Sequence, residues 1–177
     1  MFIYDKKLQY PVKIARPNPR LASIIISQYG GPDGELGASL RYLSQRYSMP
    51  FDELKGLLTD IGTEELGHLE MIGAIVHQLT RNMKDEQYRD PAFAPYFVDH
   101  TAGVYPTSAS GFPWSASSMQ VKGDPIADLA EDLGADATTL QSQLLKIPVN
   151  FNRNFLRFWI TTIDYNVINQ DINDLAS

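Results

Sequence analysis

The chain has 177 residues, 44% hydrophobic and 20% charged, which suits one globular domain with a sizeable core. Its net charge of -6 argues against a nucleic-acid binder, which would present a basic patch. With no cysteine, disulfides, thiolate nucleophiles and iron–sulfur clusters are excluded, and with three histidines a metal site must be rich in carboxylates. No apolar run approaches the about 18 residues of a membrane span, and Met1–Lys7 holds no signal-peptide core, so neither is expected.

Residues 1–17, with Tyr10-Pro11 and Arg16-Pro17, read as an extended arm. An α-bundle offers it no strand to pair with, so it is expected either on a neighbouring subunit or as a loose terminus. A first helix begins near Pro19, with Asn18 as N-cap and Leu21, Ile24, Ile25 and Ile26 as apolar positions. Gly30-Gly31-Pro32-Asp33-Gly34 kinks or breaks it, and the pattern resumes from Glu35 through Leu36, Leu40, Leu43 and Tyr47. Glu35 shares a stripe with Ala38, Ser39 and Tyr42, whose small or polar side chains leave room beside an inward carboxylate. A second reading of Glu35 is a first-turn acid favoured by the helix dipole. Tyr42 reads either as a hydroxyl supporting a site or as a core aromatic with a wet tip.

Ser48-Met49-Pro50 is a turn, and Pro50 opens a long helix running to about Asn82. Leu54, Leu58, Ile61, Glu65, His68, Ile72, Ile75 and Leu79 recur at steps of three and four and form its inward stripe. Glu65 and His68 stand where Leu would be expected. An unpaired buried carboxylate costs several kcal/mol, and a cation gripped by both side chains removes that cost. Glu-x-x-His on one face is the unit that carboxylate-bridged di-metal bundles use. Glu64 and Glu70 fall off the stripe and read as solvated; His77 lies one position off and reads as partly exposed.

Residues 84–124 are too long for a bundle turn and read as a crossover loop packed on the bundle or on another subunit. His100 reads as a loop histidine, and Phe112-Pro113-Trp114 either as residues buried at an interface or as lining or cover of an entrance. A third helix starts at Asp124-Pro125, with Ile126, Leu129, Leu133 and Leu140 on its stripe and Asp132 and Asp136 nearby; Pro148 ends it. Phe151 to Asp174 reads as a fourth helix with competing β-branched runs.

Several strings follow one another in a telling order: Tyr4-Asp5-Lys6-Lys7-Leu8-Gln9-Tyr10-Pro11, Gln28-Tyr29-Gly30-Gly31, Gly34-Glu35-Leu36 and Leu40-Arg41-Tyr42-Leu43. Then come Leu57 to Glu65 with His68-Leu69-Glu70-Met71-Ile72, and Lys122-Gly123-Asp124-Pro125 with Glu131-Asp132-Leu133. Over residues 1–133 the chain closely resembles the manganese catalases, and within them the short spore-coat branch of the CotJC type. The resemblance implies an all-α, ferritin-like four-helix bundle, taken as one domain over residues 1–177 with an atypical tail from 134. It implies two manganese ions, with iron as the alternative occupant. It further implies hydrogen peroxide as substrate, a homo-oligomer (commonly a hexamer), spore-coat partner proteins, and a cytoplasmic or spore-coat location. The family's bridging Glu maps onto Glu35, its Glu-x-x-His onto Glu65 and His68, and its supporting tyrosine onto Tyr42.

The second half of the family's site does not carry over. Counted on without gaps, the third-helix Glu falls on Asp136, the preceding Arg on Ala135, and the fourth-helix Glu and His on Asn166 and Asn169. No Glu follows Glu131 and no His follows His100. Asp reaches about 1.5 Å less than Glu, and Asn is neutral and a poor substitute for imidazole at manganese. Asn166 cannot shuttle a proton, and general acid–base catalysis contributes about 10²–10⁴-fold. Three readings stay open: a diverged structural coat protein, a frameshifted or replaced tail, or an altered site completed by Asp132, Asp136 or Asp164. With Asp136 standing in as a further ligand, the expectation is peroxide disproportionation well below that of an intact relative.

Overall fold

A computed structural model describes the backbone of residues 4–91 and 103–144, and the side chains of residues 4–91 and 103–134. The expected fourth helix, His100, Asp164, Asn166, Asn169 and the side chain of Asp136 lie outside the described residues.

Five α-helices are described: α1 (Pro19–Gly30), α2 (Glu35–Gln45), α3 (Asp52–Thr80), the single turn α4 (Asp85–Tyr88) and α5 (Pro125–Leu144). No strand occurs among the described residues, only one isolated bridge, Thr107 with Pro113. The architecture is the expected all-α bundle.

α1 starts where a side-chain acceptor precedes a proline. Asn18 is extended, its Oδ1 accepts the Leu21 amide at 3.1 Å, and Pro19 opens the helix. The glycine–proline run then breaks the helix, with both Gly31 and Gly34 in extended conformation. α3 begins two residues later than Pro50 and carries Asp52 and Glu53 in its first turn, where the dipole favours acids. α5 is capped by Asp124, whose Oδ1 accepts the amides of Ile126 and Ala127 at 3.0 and 3.2 Å.

The 29-residue α3 is the spine, about 43 Å long at 1.5 Å per residue. α1 and α2 lie end to end along it, both antiparallel to it. Beside α1, Leu21, Ala22, Ile25 and Ile26 pack with Ile72, Ile75, Val76 and Leu79. Beside α2, Ala38 and Tyr42 pack with Met49, Leu54, Leu58 and, from α5, Leu129. Glu65 and His68 sit on α3 between these two apolar clusters.

The arm is not a loose terminus. Residues 4–17 lie along α3 of their own chain. Gln78 closes a two-way bond, its Oε1 accepting the Ile14 amide at 2.8 Å and its Nε2 donating to the Val12 carbonyl at 3.0 Å. Arg81 donates to the carbonyls of Ile14 and Ala15, and Val12 and Ile14 pack on the α1–α3 cluster. The partner that a strand would have supplied is thus a helix presenting amide and guanidinium side chains. The described part of the crossover loop does pack on the bundle, as expected. It passes so close over Gly30 that a Cβ there would stand 2.2 Å from the Pro106 carbonyl carbon, and the Ala109 amide donates to Ser27 Oγ at 3.0 Å.

Candidate metal centre

The site begins with a close helix crossing. Ser39 Oγ on α2 donates to the Gly62 carbonyl on α3 at 2.6 Å. A Cβ on Gly62 would lie 2.8 Å from Leu43 Cγ and 3.2 Å from the Ser39 carbonyl oxygen, so glycine sets how near the helices come. One turn before Ser39 is Glu35; one turn after Gly62 is Glu65, and His68 follows one turn further on. Since the helices run antiparallel, these three converge.

One ligand-type atom from each of Glu35, Glu65 and His68 lies within 4.8 Å of the others. His68 Nδ1 is 2.6 Å from Glu65 Oε2 and 3.9 Å from Glu35 Oε2, so the same ring nitrogen faces both carboxylates. Glu35 and His68 are buried and Glu65 is half-buried. Among the described residues, this is the one group of three or more acidic or histidine side chains placed to share a cation. Two carboxylates beside one imidazole leave excess negative charge in a poorly solvated place, which is costly without a cation. Two oxygens and a nitrogen form a donor set suited to a divalent first-row metal. Glu35 is both a first-turn acid of α2 and an inward carboxylate, so its two sequence readings are compatible.

Tyr42 is 1% exposed and packs two turns along α2 from Glu35, within the α2–α3 apolar cluster. Asp132 is buried but stands elsewhere: its Oδ1 accepts Gln45 Nε2 at 3.0 Å, and Gln45 also donates to the Gln120 carbonyl at 2.9 Å. Asp136 lies one turn further along α5. Glu64 is exposed, as expected of a residue off the stripe, yet its Oε1 is 3.9 Å from His68 Nε2. Glu70 is only half-buried in solvent's reach and accepts the Tyr4 hydroxyl. His77 is exposed.

The sequence reading missed a second polar centre on α2. Arg41 is 1% exposed, and its guanidinium lies 3.4 Å from both Asp33 in the helix break and Glu131 on α5. Burial pushes the Glu131 carboxyl above its usual range, and Arg41 opposes that shift. Nearby, Asp128 accepts the amides of Lys122 and Gly123 at 2.8 and 3.1 Å. Arg41 and Gln45, four apart on one helix face, were the available signal.

Residues 1–147 match the family profile described as manganese containing catalase. Protein CotJC of Bacillus subtilis (strain 168) is 54% identical over 136 residues, covering 77% of this chain and 71% of that protein. A manganese catalase of Bacillus subtilis is 32% identical over 150 residues, covering 77% of this chain and 55% of the enzyme. The chain thus spans little more than half the length of that catalase. The crystal structure of KatB, a manganese catalase from Anabaena, superimposes with a TM-score of 0.86 at 28% identity, covering 99% of this chain and 81% of that one. The profile match runs from the arm through α5 and takes in the Glu35, Glu65 and His68 cluster, and on that ground the chain belongs to the manganese-containing catalase family.

Proposed function

We propose that Glu35, Glu65 and His68 hold manganese as one half of a dinuclear site, and that the protein disproportionates hydrogen peroxide to water and dioxygen more slowly than an intact relative. The observation that carries this reading is the convergence of two carboxylates and an imidazole at a buried helix crossing, in a chain of this family. Bound manganese supplies the two-electron exchange that the reaction needs. The chain's own part is to position and to shield. Glu65 and His68 project from one face of α3, and Glu35 closes over them from α2. The apolar clusters on either side keep bulk water from the ligands. Asp136 stands in for the third-helix carboxylate, and Tyr42 supports the α2 side of the site. Iron is the alternative occupant, since such a donor set takes either metal and availability decides.

The second reading is a structural spore-coat component in a homo-oligomer, with the bundle kept and turnover vestigial. It is favoured by the 54% identity to Protein CotJC and by the absence of Glu after Glu131 and of His after His100. On either reading the chain is one domain over residues 1–177, with 134–177 as an atypical tail.

Glu65→Ala and His68→Ala are expected to remove most bound manganese without unfolding the bundle, as read by elemental analysis beside circular dichroism. Metal content unchanged in both variants would sink the assignment. A peroxide assay on manganese-loaded protein separates the two readings: measurable turnover that His68→Ala abolishes supports the enzyme, and none supports the coat component.

A further inference from the structure

The face of His68 turned away from Glu35 and Glu65 is also organised. Its Nε2 lies 3.9 Å from Glu64 Oε1. That same oxygen accepts Gln9 Nε2 from the arm at 3.1 Å. Gln9 is seated over Gly67, where a Cβ would stand 3.2 Å from Gln9 Oε1, so the arm crosses α3 between Glu64 and His68. One turn on, Glu70 accepts the Tyr4 hydroxyl, a second arm contact on this face.

We propose that Glu64 is a positioning residue for His68, and that the N-terminal arm, through Gln9, holds Glu64 in place. This rests on the reading of His68 as a metal ligand. The physical reason is general: a ligating imidazole donates its other N–H to a carboxylate or carbonyl, which fixes the tautomer, the ring orientation and the ligand basicity. Here Nδ1 faces Glu35 and Glu65; with Nδ1 ligating the metal, Nε2 would carry the hydrogen, and Glu64 is the carboxylate facing it. The 3.9 Å separation is longer than a direct hydrogen bond and closes by a small rotation of Glu64 or through one bridging water. The arm bond keeps the Glu64 carboxylate on this side of α3, within reach of Nε2, rather than free to swing into solvent. Ordering of the arm is thereby linked to metal affinity.

The experiment is a Mn(II) titration of the full chain and of the variants Glu64→Ala, Glu64→Gln, Gln9→Ala and His68→Ala, with thermal melts as a check on folding. Glu64→Ala is expected to weaken Mn(II) binding about 10–100-fold. Glu64→Gln keeps an acceptor oxygen and is expected to restore most of the affinity. Gln9→Ala is expected to fall between wild type and Glu64→Ala. Wild-type affinity in Glu64→Ala would overturn the proposal, as would equal losses in Glu64→Ala and Glu64→Gln, because only net charge would then matter. Undiminished binding by His68→Ala would instead overturn the metal-centre reading on which the proposal stands.

Discussion

At the scale of single residues, the site depends on one missing side chain. Gly62 lets Ser39 bond to its carbonyl and so brings Glu35 within reach of Glu65 and His68. Gly62→Ala adds about 1 kcal/mol of helix propensity, but its Cβ meets Leu43 and the Ser39 carbonyl, and overpacking costs about 1–3 kcal/mol. The expected result is a lower urea midpoint together with weaker Mn(II) binding; a variant more stable than wild type would show that the crossing tolerates separation. Glu131 gives a pH prediction. Its carboxyl is raised by burial, opposed by Arg41 and Lys122 and reinforced by Asp33 and Asp128. A carboxyl raised on folding binds its proton more readily in the native state. Its stabilising contribution is therefore present in acid and lost as pH rises through the raised value. Wild type should thus gain stability relative to Glu131→Gln as pH falls from about 7 towards about 4, measured by urea unfolding. A relative loss would mean that the Arg41 pair outweighs burial. Glu65 and His68 were legible in the sequence because one helix carries both at a spacing that its apolar neighbours define. The Gln45–Asp132 bond was not, because its members are 87 residues apart and either side chain alone reads as surface.

At the scale of elements, the break and the arm differ in how they could be read. Gly30 to Gly34 announces a helix interruption by composition alone, and the structure ends α1 at Gly30 and restarts α2 at Glu35. The arm's docking could not be read, since its backbone groups bond to side chains of Gln78 on α3 and of Arg81 just past its end, far along the chain. That arrangement has a simple test. Gln78→Ala removes both the acceptor for the Ile14 amide and the donor to the Val12 carbonyl. Hydrogen exchange at Ile14 should accelerate, while amides in the middle of α3 keep their protection. Unchanged exchange at Ile14 would show that Arg81 and the apolar contacts of Val12 and Ile14 hold the arm unaided.

At the scale of the whole molecule, α1 to α3 bring together the Glu35, Glu65 and His68 cluster, and on the proposed reading the other half of the site falls on residues of altered type. Protein purified with manganese and without chelator is expected to hold about one ion per chain or fewer, since a dinuclear site needs Glu-x-x-His from two helices. Two ions per chain would mean that Asp136 and its neighbours complete the centre despite their shorter reach. The interruption between α1 and α2 has a different kind of consequence. Because the helix is interrupted between Gly30 and Glu35, the packing of α1 on Ile72, Ile75, Val76 and Leu79 is separate from the crossing that places Glu35 beside Glu65 and His68. Over evolutionary time the core at the α1 end is therefore free to drift, and among diverging copies substitutions should accumulate faster at Leu21, Ile25 and Ile26 than around Ser39 and Gly62.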